Sequence, residues 1–179
     1  MSIDVLPDRI LRYGDERLRR RCAPVAPGDA AAAEVADRLW NALGAADGVG
    51  LAAPQIGEST RVVVVELPRE SARRGPRELE LFNPVVERVF GPRERFREGC
   101  LSFRGLYLPV VRARGAVVRY LDRGGQPRRL QDDGLLARVL QHEVDHLDGV
   151  LFLDRLPRWR RWPLALRLRR LTRARGDRA

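Results

Sequence analysis

The chain has 179 residues, 44% of them hydrophobic, and 34 basic residues against 24 acidic ones give it a net charge of +10. That length suits one ordinary domain, able to hide roughly 70% of its unfolded surface around a single core. Two cysteines, Cys22 and Cys100, are too few for a disulfide framework, and the complete absence of lysine excludes a lysine-bearing phosphate loop or a Schiff-base lysine.

Elements follow in chain order. Pro27-Gly28-Asp29 is a turn signal, after which Ala33, Val35, Leu39, Trp40 and Leu43 recur at helical spacing, predicting a helix over Ala30–Leu43 that ends near Gly44. The stretch Gly48 to Gln55 is too rich in small residues for a regular element. Four consecutive valines then mark a buried strand within Arg61–Leu67, followed by a mobile loop over Arg69–Arg77. Leu79–Phe90 and Val110–Leu121 read as strands, and Arg123-Gly124-Gly125-Gln126 as a hairpin turn before Leu130, so the middle of the chain is mostly antiparallel sheet.

Asp132 or Asp133 caps a helix expected from Gly134 to Asp148, with Leu136, Val139, Leu140 and Leu147 as its apolar positions and Gly149 as its terminator. From Pro163 onward, Leu164, Leu168 and Leu171 predict a short basic amphipathic helix. The fold class expected is α+β: antiparallel sheets around a central metal-binding helix, with a helix at the C-terminal end. Residues 1–156 are expected to form the catalytic domain and 157–179 a basic tail. No stretch approaches the ~20 apolar residues of a membrane span, and Met1 to Ile10 carries no apolar run, so a cytosolic protein is expected.

His142-Glu143-Val144-Asp145-His146 sets two imidazoles four residues apart, one turn along one helix face, where both reach a single ion. The competing reading is a histidine pair on a solvated helix. Against it, these are the only histidines in the chain, and their helix is otherwise largely apolar. A catalytic site needs a third protein ligand and an open position. No third histidine exists and no glutamate follows Glu143, which leaves Cys100, in Glu98-Gly99-Cys100-Leu101-Ser102, as the third ligand. Gly99 permits a tight backbone path beside it. Glu143, three residues before His146, can flank the same face as the proton-transfer group of a hydrolase.

The segments Gly48–Gln55, Glu98–Ser102 and Gln141–Gly149 together resemble the three signature motifs of the peptide deformylase family, in that family's order. The similarity runs from about Ile10 through Leu156 and includes Leu81-Phe82-Asn83-Pro84. The resemblance implies a cytoplasmic bacterial hydrolase that removes the formyl group from the formylmethionine of nascent chains. It assigns oxyanion donors to the Gln55 amide and the Leu101 backbone N–H. It also favours Fe²⁺ as the ion, whereas one thiolate and two imidazoles by themselves leave Fe²⁺, Zn²⁺, Ni²⁺ and Co²⁺ open.

Gly48 and Gly50 would let the backbone approach a peptide lying as an added strand, with Gly99 in the same wall. A methionine pocket is expected from Val49, Leu101, Leu135 and Val139. Arg104 and Arg138 depart from patterns in which proline and an apolar residue stand there, and the Arg138 stem is expected to line the pocket with its charge turned outward. Two rivals are an ordinary metallopeptidase, which lacks its usual third ligand here, and a catalytically silent ribosome-binding homologue.

Residues 155–179 hold ten arginines and one acid, so +9 of the +10 sits there. Two readings of that tail compete, packing on the domain through Leu164, Leu168 and Leu171 or docking to ribosomal RNA, with an acidic membrane surface as a third.

Overall fold

A computed structural model describes residues 10–71, 77–164 and 168. Five strands, β1 (Gly50–Ala52), β2 (Val62–Glu66), β3 (Glu78–Glu98), β4 (Leu108–Leu121) and β5 (Pro127–Asp132), form an antiparallel sheet in the order of the chain. Two α-helices pack on it, α1 (Ala30–Gly44) and α2 (Leu135–Leu147). The expected α+β class is the one observed.

β2 shows why the valine run is continuous. Val63 and Val65 enter one cluster with Leu81, Val118, Leu136, Val139 and Leu140, while Val62 and Val64 enter another with Val35, Leu39 and Leu43. Alternate side chains point to opposite faces, and here one face meets α2 and the other α1, so both must be apolar. A third cluster joins Leu18, Phe103, Val110, Leu151 and Phe152 beneath the loop that carries Cys100.

Helix α1 matches its predicted span, and Asp29 caps it by accepting from the N–H of Ala31. Helix α2 is capped by Asp132, which accepts from the N–H groups of Gly134 and Ala137, and Gly149 follows it at φ +71, the left-handed conformation that ends helices.

Three expectations need correction. The small-residue stretch holds a strand after all, since Gly50, Leu51 and Ala52 pair with Val65, Val64 and Val63 and a 3-10 turn follows over Ala53–Ile56. Strand β3 runs well past Phe90 to Glu98. Its outer half is charged and contains Gly91-Pro92, which reads as loop, but a register shift between Phe90 and Arg93 absorbs the proline and pairing with β4 resumes. Helical structure in the tail begins before Pro163, at 158, and continues through 164.

Of the expected loop Arg69–Arg77, Arg69–Ser71 form a 3-10 turn and 72–76 lie outside the described residues. Leu164 and Leu168 pack against the third cluster, and Leu171 lies outside the described residues. Among the described residues no helix is long and apolar enough to cross a membrane.

Both cysteines are free thiols, with Cys22 in the core. Burial pushes the Cys22 thiol up to about 11 in spite of the nearby Arg61, and reactivity follows the thiolate. Iodoacetamide at pH 8 is therefore expected to leave Cys22 unmodified in the folded protein and to alkylate it after denaturation, as read by peptide mass spectrometry. Equal labelling in both states would contradict this packing.

Candidate metal centre and the cavity beside it

Helix α2 is unusual in what it buries. Gln141, His142, Glu143, Asp145 and His146 are each at most 8% exposed, although buried polar groups must find partners or a function. The spacing in sequence puts both imidazoles on one side, their ring centroids 5.0 Å apart. Cys100 arrives from the end of β3, at the entry to a 3-10 turn over Leu101–Phe103. That turn is pinned from the N-terminal segment, where Arg12 Nη1 donates to the Leu101 carbonyl and the Tyr13 N–H to the Ser102 carbonyl.

Cys100 Sγ lies 3.3 Å from His146 Nε2, and one ligating atom from each of Cys100, His142 and His146 falls within 4.8 Å of the others. Ligand atoms about 2.0–2.3 Å from one ion stand roughly 3–4 Å apart in a tetrahedral shell, so the donor set and its spacing fit a divalent ion.

Glu98 organises this cluster, a role that reading the chain did not assign to it. Its Oε2 accepts from His142 Nδ1 at 3.2 Å, which leaves Nε2 of that ring for the centre. Its two oxygens also accept from Arg112 Nε and Nη2 at 2.8 and 3.1 Å, and Oε1 accepts from Arg138 Nη1 at 2.7 Å. Burial pushes this carboxyl up, but the donors His142 and Arg112 and the Arg112 charge outweigh it and hold it down at about 2. Arg112 itself, 4% exposed, reaches on to Asp145 at 2.8 Å, and breaking a buried pair of this kind costs about 3–5 kcal/mol. For His142 burial opposes charge, yet hydrogen bonds to Cys100 and Glu98 push the imidazole up to about 10. The sulfur of Cys100 and the carboxylate of Glu98 that favour a proton there would also attract a metal cation, which would take that proton's place on the ring.

Glu143 stands beside the cluster with Oε2 buried and unpartnered, and desolvation pushes its carboxyl up to about 7 against the pull of His142 and Arg112. Gln55 comes from the 3-10 turn after β1. Its Oε1 accepts from the Ala52 N–H at 2.9 Å, so Nε2 is the end turned to the centre, 3.2 Å from Ser102 Oγ and 3.6 Å from Cys100 Sγ.

A cavity of about 620 Å³ opens here, within the range of small-molecule sites. Of the twelve residues singled out in the sequence, all line it except His146, which sits behind at 1% exposure. Leu135, Val139 and Val49 contribute apolar wall, and Leu101 faces Gly48. Arg138 lines the same cavity, with its guanidinium drawn aside to Glu98, to the Glu94 carbonyl at 3.0 Å and over the Phe96 ring at 5.4 Å. Exposed Phe96 and Tyr107 at the mouth escaped the sequence reading, because nothing in the chain marks the outer hairpin as part of the site.

The glycines have specific reasons. A Cβ on Gly50 would stand 2.8 Å from Glu143 Oε1 and 3.0 Å from Val139 Cγ1, and one on Gly99 would meet the Tyr107 ring at 2.6 Å. Gly50→Ala should therefore displace the Glu143 carboxylate, and misplacement of about 1 Å costs on the order of 10²-fold. Hydrolysis is expected to fall by about that factor with the metal content unchanged. A rate near that of the native enzyme would mean that the carboxylate does not need to be held there.

A thiol and two imidazoles clustered at the wall of one cavity, with an unpartnered carboxylate lining it, define in this α+β fold the metal-dependent hydrolase class. Comparison with known proteins narrows this. The chain belongs to the polypeptide deformylase family, whose model matches residues 7–162. A peptide deformylase of Thermomicrobium roseum is 44% identical over 149 residues, covering 82% of this chain and 84% of the relative. The crystal structure of peptide deformylase from Thermus thermophilus superposes with a TM-score of 0.79 at 40% identity, covering 95% of each chain. That of the Synechococcus elongatus enzyme in complex with actinonin gives a TM-score of 0.80 at 38% identity, covering 93% of this chain and 87% of the other.

Proposed function

We propose that the chain hydrolyses the formyl amide at the N-terminal formylmethionine of newly made polypeptides and releases formate, with Cys100, His142 and His146 holding its metal ion. The observation that carries this is the convergence of those three ligating atoms within 4.8 Å beside the unpartnered Glu143 Oε2. A divalent ion held by these residues would supply Lewis acidity and lower the pKa of a water toward neutrality.

The chain's own groups do the rest. Glu143 takes the proton of the attacking water and returns it to the leaving amine. Gln55 Nε2 and the Leu101 N–H receive the developing oxyanion. Substrate backbone lies along the outer edge of β1, the terminal strand of the sheet, where Gly48, Gly50 and Gly99 permit close approach. The methionine side chain enters between Val49, Leu101, Leu135 and Val139.

Fe²⁺ is the ion assigned in the cell, because one thiolate with two imidazoles suits it and the family resemblance points to it; Zn²⁺, Ni²⁺ and Co²⁺ are alternatives of similar softness. Residues 1–156 act as the catalytic unit in the bacterial cytoplasm. Residues 157–179 form a tail whose root is held by Leu164 and Leu168. Its charge and the exposed Trp159 and Trp162 support ribosomal RNA as its partner. If deleting residues 163–179 leaves salt-sensitive co-sedimentation with ribosomes unchanged, that partner is wrong.

Anaerobic purification, metal analysis and a formate assay on a formyl-Met peptide test the main reading. About one equivalent of metal and stoichiometric formate are expected. A metal-loaded enzyme that cuts internal peptide bonds while leaving the formyl group in place would overturn it. Formyl-Met and formyl-Ala peptides reacting equally would remove the methionine pocket alone.

A further inference from the structure

Helix α2 has a second cavity behind it, of about 790 Å³, which the deformylation site does not use. Gln141, Val144 and Asp145 face this side, whereas His142 and Glu143 line the cavity on the other. Val85, Val86 and Val89 of β3, Val111 of β4 and Val144 build its apolar wall, and no aromatic ring lines it among the described residues. Val89 is 51% exposed and Val111 37%, so the apolar strip opens to solvent.

Charge around this strip is strongly one-sided. Arg21, Arg61, Arg93, Arg112 and Arg155 line the cavity, against only Asp145 and Asp148. Both acids are already held: Arg112 and Arg155 donate to Asp145, and Arg61 donates to Asp148 at 2.7 Å with Arg21 3.8 Å away. Arg112 is buried and also held by Glu98, so the positive charge left over beside the aliphatic trough lies at the solvent-facing Arg21, Arg93 and Arg155.

We propose that this cavity is a binding site for an aliphatic carboxylate of medium to long chain, its acyl tail along the valines and its head group at the arginine rim. Its volume is that of a small-molecule site, about 300–1,000 Å³. A guanidinium fork matches a carboxylate in both charge and geometry. A nucleotide fits less well, because a base needs a ring to stack on and this wall offers only branched aliphatic side chains. A cationic amphiphile meets the wrong sign of charge.

Calorimetry on the metal-loaded full chain with sodium dodecanoate, below its micellar concentration, tests this. Saturable one-to-one binding is expected. Val89→Asp sets a charge in the apolar strip and Arg93→Glu reverses one at the rim, and each should weaken binding at least ~10-fold. Both positions are exposed, so melting temperatures should match the native protein. Dodecyltrimethylammonium should not bind, and Phe96→Asp, at the mouth of the catalytic cavity, should leave dodecanoate binding unchanged. Uptake without saturation, or native affinity in both Val89→Asp and Arg93→Glu, overturns the proposal. Loss of binding in Phe96→Asp alone places the amphiphile in the catalytic cavity and overturns it equally.

Discussion

Cys100→Ala is expected to lose its metal and to release formate at least ~10³-fold more slowly than the native enzyme. Loss of a partner that merely orients a ligand typically costs 10–100-fold in metal affinity or activity, and Cys100 is assigned as a ligand itself. Its Sγ is the only one of the three donors that comes from outside α2, 3.3 Å from His146 Nε2. Without it two imidazoles one helical turn apart must hold the ion alone. Metal analysis after gel filtration and the formate assay should show both losses together. Cys22→Ala serves as the comparison: that thiol packs with Val63 and Leu147 in the core, so its replacement should lower stability without touching metal content. Full metal occupancy and undiminished turnover in Cys100→Ala would end the assignment.

The second large effect separates proton transfer from metal binding. Glu143→Gln keeps the size and shape of the side chain but cannot accept a proton, so kcat should fall by about 10²–10⁴, the usual contribution of a placed general base. The metal should stay, because Glu143 is not among the three clustered ligands. Thermal stability should not fall either. Burial already penalises the charged form of this carboxyl, pushing it up to about 7, and Oε2 has no partner to lose. Turnover within a few-fold of native in Glu143→Gln, at full metal occupancy, would move proton transfer to another group.

Much of the site was legible because its chemistry is concentrated in short stretches. Two histidines four apart on a helix must share a face, whatever the helix packs against. Helix α1 could be read from its apolar spacing and Asp29, and β2 from four valines, because local periodicity reports which faces are covered. Outer β3 was missed for the converse reason: Arg93, Glu94, Arg95, Phe96 and Arg97 are all exposed, so burial leaves no pattern there, and only pairing with β4 makes them a strand. β1 was missed because Gly50 and Ala52 have weak strand preference, and their pairing depends on β2.

By itself, the amino-acid sequence determined which side chains can ligate a metal, the helix that carries two of them, the carboxylate next to them and the arginine-rich end. Tertiary structure alone decided that Glu98 is shared among His142, Arg112 and Arg138, that Gly50 leaves room for the Glu143 carboxylate, and that a second cavity backs onto α2. The physical reason is range. Backbone geometry fixes which side chains meet within one turn or one strand. Which residues meet across forty positions is set by strand register and by the way the sheet closes on the helix, and neither is written in any one segment.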